Sequence, residues 1–289
     1  MDSFDQKVAV ITGGASGMGR AFAERFGSAG CQIVIADVEA SALETAVAEL
    51  KAAGIAAVGI KTDVSKAAEM TALSDRVLAE FGQVNLLFNN AGVGGGGALE
   101  DLSLQDWEWI LGVNLWGVIH GLNAFYPHML AHGDGHIVNT ASVAGMTSYP
   151  NMAPYNASKH AVVTISETIY AELAEKKSSL GISCLCPGIV RTNIFQSERN
   201  RPEHLRRPFI PPQPDADQQE RFQLLTEVYA QAVQPPEVAE LVFQAVVNNQ
   251  FYIWTDPVYA EPIRERHHHI DHTQNPNYRG GLLDEDQSR

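Results

Sequence analysis

Val8-Ala9-Val10-Ile11-Thr12-Gly13-Gly14-Ala15-Ser16-Gly17-Met18-Gly19 opens the regular part of the chain. A short apolar run predicts a strand over residues 8–11, and the apolar spacing over residues 17–29 predicts a helix. Between them lies a glycine-rich turn. Glycines let the backbone bend sharply and come close to a bound group, and the free N–H groups at a helix start attract anions such as a pyrophosphate. The spacing, Gly-x-x-x-Gly-x-Gly, differs from the Gly-x-Gly-x-x-Gly of many dinucleotide folds. A glycine turn alone is compatible with a purely structural role; its position between strand and helix gives it weight.

Working outward, further short apolar runs at residues 33–36, 57–61, 86–89, 136–140, 183–186 and 251–254 predict six more strands, mostly separated by helical segments. Connections of that length favour parallel pairing, because a parallel crossover takes a dozen or more residues and usually a helix. The expected fold is therefore α/β: a doubly wound, seven-stranded parallel sheet with helices on both faces, in one domain over residues 1–289. Residues 193–234 are expected to form a flap over a substrate, since residues 193–219 are polar and carry Pro202, Pro208, Pro211, Pro212 and Pro214. Helical patterning resumes near Phe222 and again after Pro235-Pro236, where proline suits a helix start. Residues 276–289 read as a flexible tail.

The composition fits this outline. Hydrophobic residues make up 45% of the 289 and charged residues 19%, which supports a buried core. The formal net charge of −14 opposes binding to a phosphate backbone. No run reaches the roughly 20 apolar residues that cross a bilayer, and residues 1–7 are too polar for a signal peptide, so the expected setting is cytoplasmic. Cys31, Cys184 and Cys186 have no zinc-ligand spacing. Cys184 and Cys186, two apart in an apolar run, share one face of a strand and read as packed thiols. No metal site is expected at His267-His268-His269, whose side chains point in different directions on a helix.

Chemistry-bearing residues fall after the predicted strands. Asp37 closes the second, where an acidic residue in this type of fold bonds the adenosine ribose hydroxyls. A carboxylate there favours NAD over NADP, and Val38 offers no base to neutralise a 2′-phosphate. Asp63-Val64 follows the third strand, with a helix cap as the plainer role for Asp63 or Ser65. Asn89-Asn90-Ala91-Gly92 follows the fourth. Ser142 lies just past the fifth, thirteen residues before Tyr155, and Tyr155-Asn156-Ala157-Ser158-Lys159 places a tyrosine and a lysine four apart, on one helix face. Asn114-Leu115-Trp116-Gly117 and Pro187-Gly188-Ile189-Val190-Arg191-Thr192 complete the set.

In this order, over about residues 7–192, these motifs resemble the short-chain dehydrogenase/reductase family. Asn85 is a departure, since many members carry aspartate there. The resemblance implies a catalytic set of Asn114, Ser142, Tyr155 and Lys159. It implies a cofactor site from Gly13, Ser16, Gly17, Met18, Gly19, Asp37, Asp63, Val64, Asn90, Ala91, Gly92, Pro187, Gly188, Val190 and Thr192, with Tyr155 and Lys159 beside the nicotinamide. Tyr155 would exchange the alcohol proton, Ser142 would hold the substrate oxygen, Lys159 would hold the nicotinamide ribose and lower the tyrosine's pKa, and Asn114 would support a water leading to solvent. The implied activity is NAD-dependent interconversion of a secondary alcohol and a ketone, in a homodimer or homotetramer. Met146, Tyr149, Met152, Ile189, Phe195 and Phe209 are the expected substrate contacts, and their apolar character points to a bulky or aromatic alcohol. The chain from Phe251 to Arg266, with Tyr252-Ile253-Trp254-Thr255-Asp256-Pro257 in it, broadly resembles bacterial members that oxidise ring-bearing alcohols. An NADPH-dependent carbonyl reductase and a non-catalytic NAD-binding regulator are the alternatives.

Overall fold

The strand-forming runs are apolar on both faces because both faces are covered. In β1 (Val8–Thr12) all five residues are buried, as they are in β5 (His136–Thr140), and all six in β6 (Gly181–Cys186). That is the signature of a parallel sheet sandwiched between helices. A computed structural model describes residues 3–206, 229 and 231–277. Within it β2 (Gln32–Asp37), β3 (Ala57–Lys61), β4 (Leu86–Asn89) and β7 (Tyr252–Trp254) join these strands in one parallel sheet of order β3-β2-β1-β4-β5-β6-β7.

Alternation along each strand splits the core in two. Ala9, Ile11, Ile33, Ile35 and Phe88 face one side and pack against α1 (Gly17–Ser28), α2 (Ala40–Ala52) and α7 (Pro235–Val247). Val8, Val10, Val34, Leu87 and Ile182 face the other, with α3 (Ala67–Phe81), α5 (Gly117–His132) and α6 (Ala153–Glu175). α4 (Leu104–Leu111) leads into α5 through a π-helical turn, Gly112–Trp116, and α8 (Ala260–Asp271) follows β7.

The chain lays down β1, β2 and β3 in one direction and then returns to add β4 on the other side of β1. At such a reversal the loops after neighbouring strands part, leaving a crevice at the carboxyl ends of the strands.

Sequence-based boundaries shift by a residue or two. β6 starts at Gly181, which pairs with His136, rather than at residue 183. Of the segment expected to be a flap, residues 193–206 form two short 3₁₀ stretches, Asn193–Asn200 and Glu203–Leu205. The helix expected near Phe222, the pocket candidate Phe209 and the tail beyond residue 277 lie outside the described residues. Cys184 and Cys186 are buried free thiols on one strand face, with sulfurs 3.8 Å apart. His267–His269 lie on α8. Among the described residues no group of three or more His, Cys, Asp or Glu side chains is arranged to hold a metal, and no helix is long and apolar enough to cross a membrane.

Candidate active site

The loops after β1, β4 and β5 are stitched together by two threonines. Thr12 Oγ1 donates to the Phe88 carbonyl (3.1 Å) and accepts from the amides of Asn90 (2.9 Å) and Ala91 (3.1 Å). Asn90 Nδ2 donates back to the Thr12 carbonyl (3.0 Å), and Thr140 Oγ1 donates to Asn90 Oδ1 (3.4 Å). Gly13 has φ +63°, and a Cβ there would stand 2.9 Å from Ala91 Cα; Gly17 has φ +54° and lies against Thr192. The turn thus needs glycine both for its conformation and for its close neighbours.

A continuous cleft of about 1260 Å³ runs over these loops. Its lining includes Gly13, Ser16, Gly17, Met18, Asp37, Asp63, Val64, Asn90, Ala91, Gly92, Pro187, Gly188, Val190 and Thr192. Gly19 is set back, packed against the Gly13 carbonyl, and shapes the turn without reaching the cleft. The first-turn amides of α1 receive no side-chain cap, which leaves donors for an anion at this end. Asp37 Oδ2 accepts from the Ala15 amide (3.0 Å) and Oδ1 from the Glu39 amide (3.1 Å). Burial raises its pKa, and those amides pull it back. Asp63 Oδ1 accepts from both the amide and the hydroxyl of Ser65, so its side chain also braces the turn into α3.

At the other end, α6 carries Tyr155 and Lys159 buried on one face, started by Pro154 in its first turn. Lys159 Nζ donates to the Thr140 carbonyl (2.9 Å) and sits 5.6 Å from the centroid of the Tyr155 ring. Burial holds the ammonium down to about 8, with Cys184 and Cys186 behind it acting in the opposite direction. Burial pushes the Tyr155 phenol up, and a hydrogen bond with Ser142 offsets part of that. Ser142 Oγ accepts from the Ala144 amide (3.1 Å) and donates to the Pro187 carbonyl (3.4 Å). Ser142, Tyr155 and Lys159 all line the cleft. Asn114 stands behind it in the π-helical turn, fully buried, its amide accepting from Val93 N (2.8 Å) and donating to Val93 O (3.0 Å).

The expected substrate contacts divide. Met152, Ile189 and Phe195 line the cleft. Met146 packs into the core, and Tyr149 is buried in a cluster with Tyr155 and Tyr259. Sequence reading missed Gly94, Gly95, Gly96, Trp109, Ile194 and Leu205, which also line it. The run of four glycines at residues 94–97 was the available signal; nothing local marked Trp109 or Leu205. Both belong to a small cluster held by Arg201, whose Nη2 lies 2.8 Å from Asp106 Oδ1 with both side chains 1% exposed, and whose guanidinium lies 5.0 Å from the Trp109 ring centroid.

Residues 7–203 match the family model for short chain dehydrogenase. The chain belongs to the short-chain dehydrogenase/reductase family. A C alpha-dehydrogenase of Sphingobium sp. (strain NBRC 103272 / SYK-6) is 38% identical over 269 residues, 92% of this chain and 86% of that protein. A short-chain dehydrogenase/reductase of Burkholderia phymatum, solved in complex with NAD, is 47% identical over 96% of this chain and 99% of its own, with a TM-score of 0.90. An actinorhodin polyketide ketoreductase, solved with NADPH, is 33% identical over 88% of this chain and 97% of its own, with a TM-score of 0.73. As a short-chain dehydrogenase/reductase, the chain is an oxidoreductase using a nicotinamide dinucleotide. The positive-φ glycines, the uncapped α1 amides and the carboxylate of Asp37 fit such a group in this cleft.

Proposed function

We propose that this short-chain dehydrogenase interconverts a secondary alcohol, bulky or aromatic, and the corresponding ketone, with NAD as its dinucleotide and Tyr155 as its proton carrier. What carries this is the convergence of Ser142, Tyr155 and Lys159 at one end of a single cleft whose other end holds Asp37. When bound, the dinucleotide supplies the hydride acceptor or donor. The chain supplies position and charge. Gly13, Ser16, Gly17 and Met18 would hold the pyrophosphate, Asp37 the adenosine ribose, and Lys159 the nicotinamide ribose.

Ser142 would hydrogen-bond the substrate oxygen, and Tyr155 Oη would take the hydroxyl proton during oxidation and return it during reduction. Lys159, as an ammonium, favours the phenolate. Asn114 keeps the loop after β4 in place through Val93. The carboxylate of Asp37, held by the Ala15 and Glu39 amides, borders the ribose end, and its charge opposes a 2′-phosphate. Trp109, Met152, Ile189, Ile194 and Leu205 give the substrate end an apolar lining, which suits a large apolar alcohol. As a member of its family the protein is taken to act as a homodimer or homotetramer.

The test is absorbance at the reduced-nicotinamide band, with NAD or NADP, over a panel of aryl and aliphatic secondary alcohols and their ketones. Turnover of aryl or bulky alcohols with NAD is expected. Preference for NADP would overturn the role given to Asp37, and preference for short polar alcohols the substrate class. Activity that survived unchanged in Tyr155→Phe would remove the proton carrier.

A further inference from the structure

In the sheet, β2 and β6 are four positions apart, with β1, β4 and β5 between them. At about 4.8 Å per strand their ends are separated by roughly 19 Å. Yet Glu39, two residues after β2, touches the chain that follows β6. Its Oε1 accepts from Arg199 Nη2 (2.7 Å) and from Asn200 Nδ2 (2.8 Å). Residues 192–200 must therefore run back across the ends of the intervening strands. On the way Thr192 packs against Gly17 at the glycine turn. Glu39, Arg199 and Asn200 border the same cleft as Asp37 and Gly17.

The two ends of this crossing segment are held differently. Arg201 is sealed against Asp106 with both side chains 1% exposed, and its Nε also donates to the Leu205 carbonyl (2.7 Å). Arg201 Nη1 also reaches Glu198 Oε1 (3.2 Å), and parting from Asp106 would leave the buried guanidinium to that exposed carboxylate, so this end stays shut. The Arg199–Glu39 pair is about one-third exposed on each side, where water replaces a lost partner at little cost. Arg199 is nevertheless pre-aimed, because its Nη1 donates to the carbonyls of Asn193 (3.2 Å) and Gln196 (2.9 Å) in its own segment.

We propose that Glu39, Arg199 and Asn200 form a latch that closes this segment over the bound dinucleotide, with the Arg201–Asp106 pair as its fixed end. The inference rests on the cleft being the dinucleotide site. The dinucleotide enters and leaves when the latch opens, so these positioning residues govern its residence time and have no part in hydride transfer. Where release of the reduced dinucleotide limits turnover, loosening the latch raises kcat.

Stopped-flow fluorescence of bound NADH, chased with excess NAD, tests this on Glu39→Ala, Arg199→Ala and the two combined. Each single variant is expected to release NADH roughly threefold to tenfold faster than wild type. The double variant should release it within about twofold of the faster single, since both remove the same contact, and the melting temperature of the unliganded protein should stay put throughout. Wild-type release rates in both single variants overturn the latch, as does a double variant in which the two effects multiply. Faster release in Glu39→Ala alone would mark a direct contact between Glu39 and the dinucleotide, which also overturns it. A wild-type protein that binds neither NADH nor NADPH overturns the dinucleotide site itself, an outcome distinct from binding with unaltered release.

Discussion

Lys159 and Tyr155 are displaced by burial in opposite directions along the pH scale, the ammonium down to about 8 and the phenol upward. Oxidation needs Tyr155 ready to accept a proton, so kcat/KM for the alcohol should rise with pH on the alkaline side of neutrality. Ketone reduction needs the phenol protonated and should fall over the same range. Because Lys159 loses its own charge through about 8, the rise in oxidation should become shallower above that point; a pH–rate profile in both directions checks each sign. Tyr155→Phe keeps the ring and removes the proton, so turnover should drop by about 10²- to 10⁴-fold while NADH fluorescence titration gives a near-unchanged Kd. The spacing of Ser142, Tyr155 and Lys159 was legible in the sequence because two of them share a helix face. Thr12 and Thr140 were not. Their partners lie 78 and 50 residues away, and only strand pairing brings them together.

The crossing segment shows where reading by element stops. Its prolines marked a break in periodicity, yet nothing between residues 193 and 219 announced that Arg201 would be buried. Its partner Asp106 lies on α4, where it also closes a capping box with Ser103. A capping residue is easy to expect; a second duty toward a guanidinium far along the chain is not. Asp106→Ala should therefore cost about 3–5 kcal/mol in urea unfolding, from the lost cap and from leaving the buried Arg201 guanidinium to its exposed partner Glu198. Glu261→Ala, which removes an exposed partner of Arg264, should cost no more than about 1 kcal/mol. Strands were more legible than this segment because burial on both faces leaves an unbroken apolar run. Their ends were less so, since backbone pairing at Gly181 requires no apolar side chain.

For the whole molecule, the strand-order reversal beside β1 sets one cleft across the top of one sheet, so ligand binding and global stability are coupled. NAD at a hundred times its Kd should add about 2.7 kcal/mol to the unfolding free energy. NADP at the same concentration should add less, read as a smaller rise in melting temperature. Alternating βα patterning made the sheet legible, whereas the strand order and the depth of the cleft emerge only from assembly. One side of that cleft has a particular character. A Cβ on Gly94 would stand 3.0 Å from the Ile194 carbonyl oxygen, one on Gly95 3.0 Å from Ile110, and one on Gly96 would collide with the Asn151 carbonyl oxygen. Gly96 is therefore closed to any side chain, while one at Gly94 or Gly95 would need the Ile194 main chain or the Ile110 side chain to give way. The contour of this side resists mutational tuning, and a lineage or laboratory selection that broadens the range of alcohols has freer positions to work through at Met152, Ile189 and Phe195.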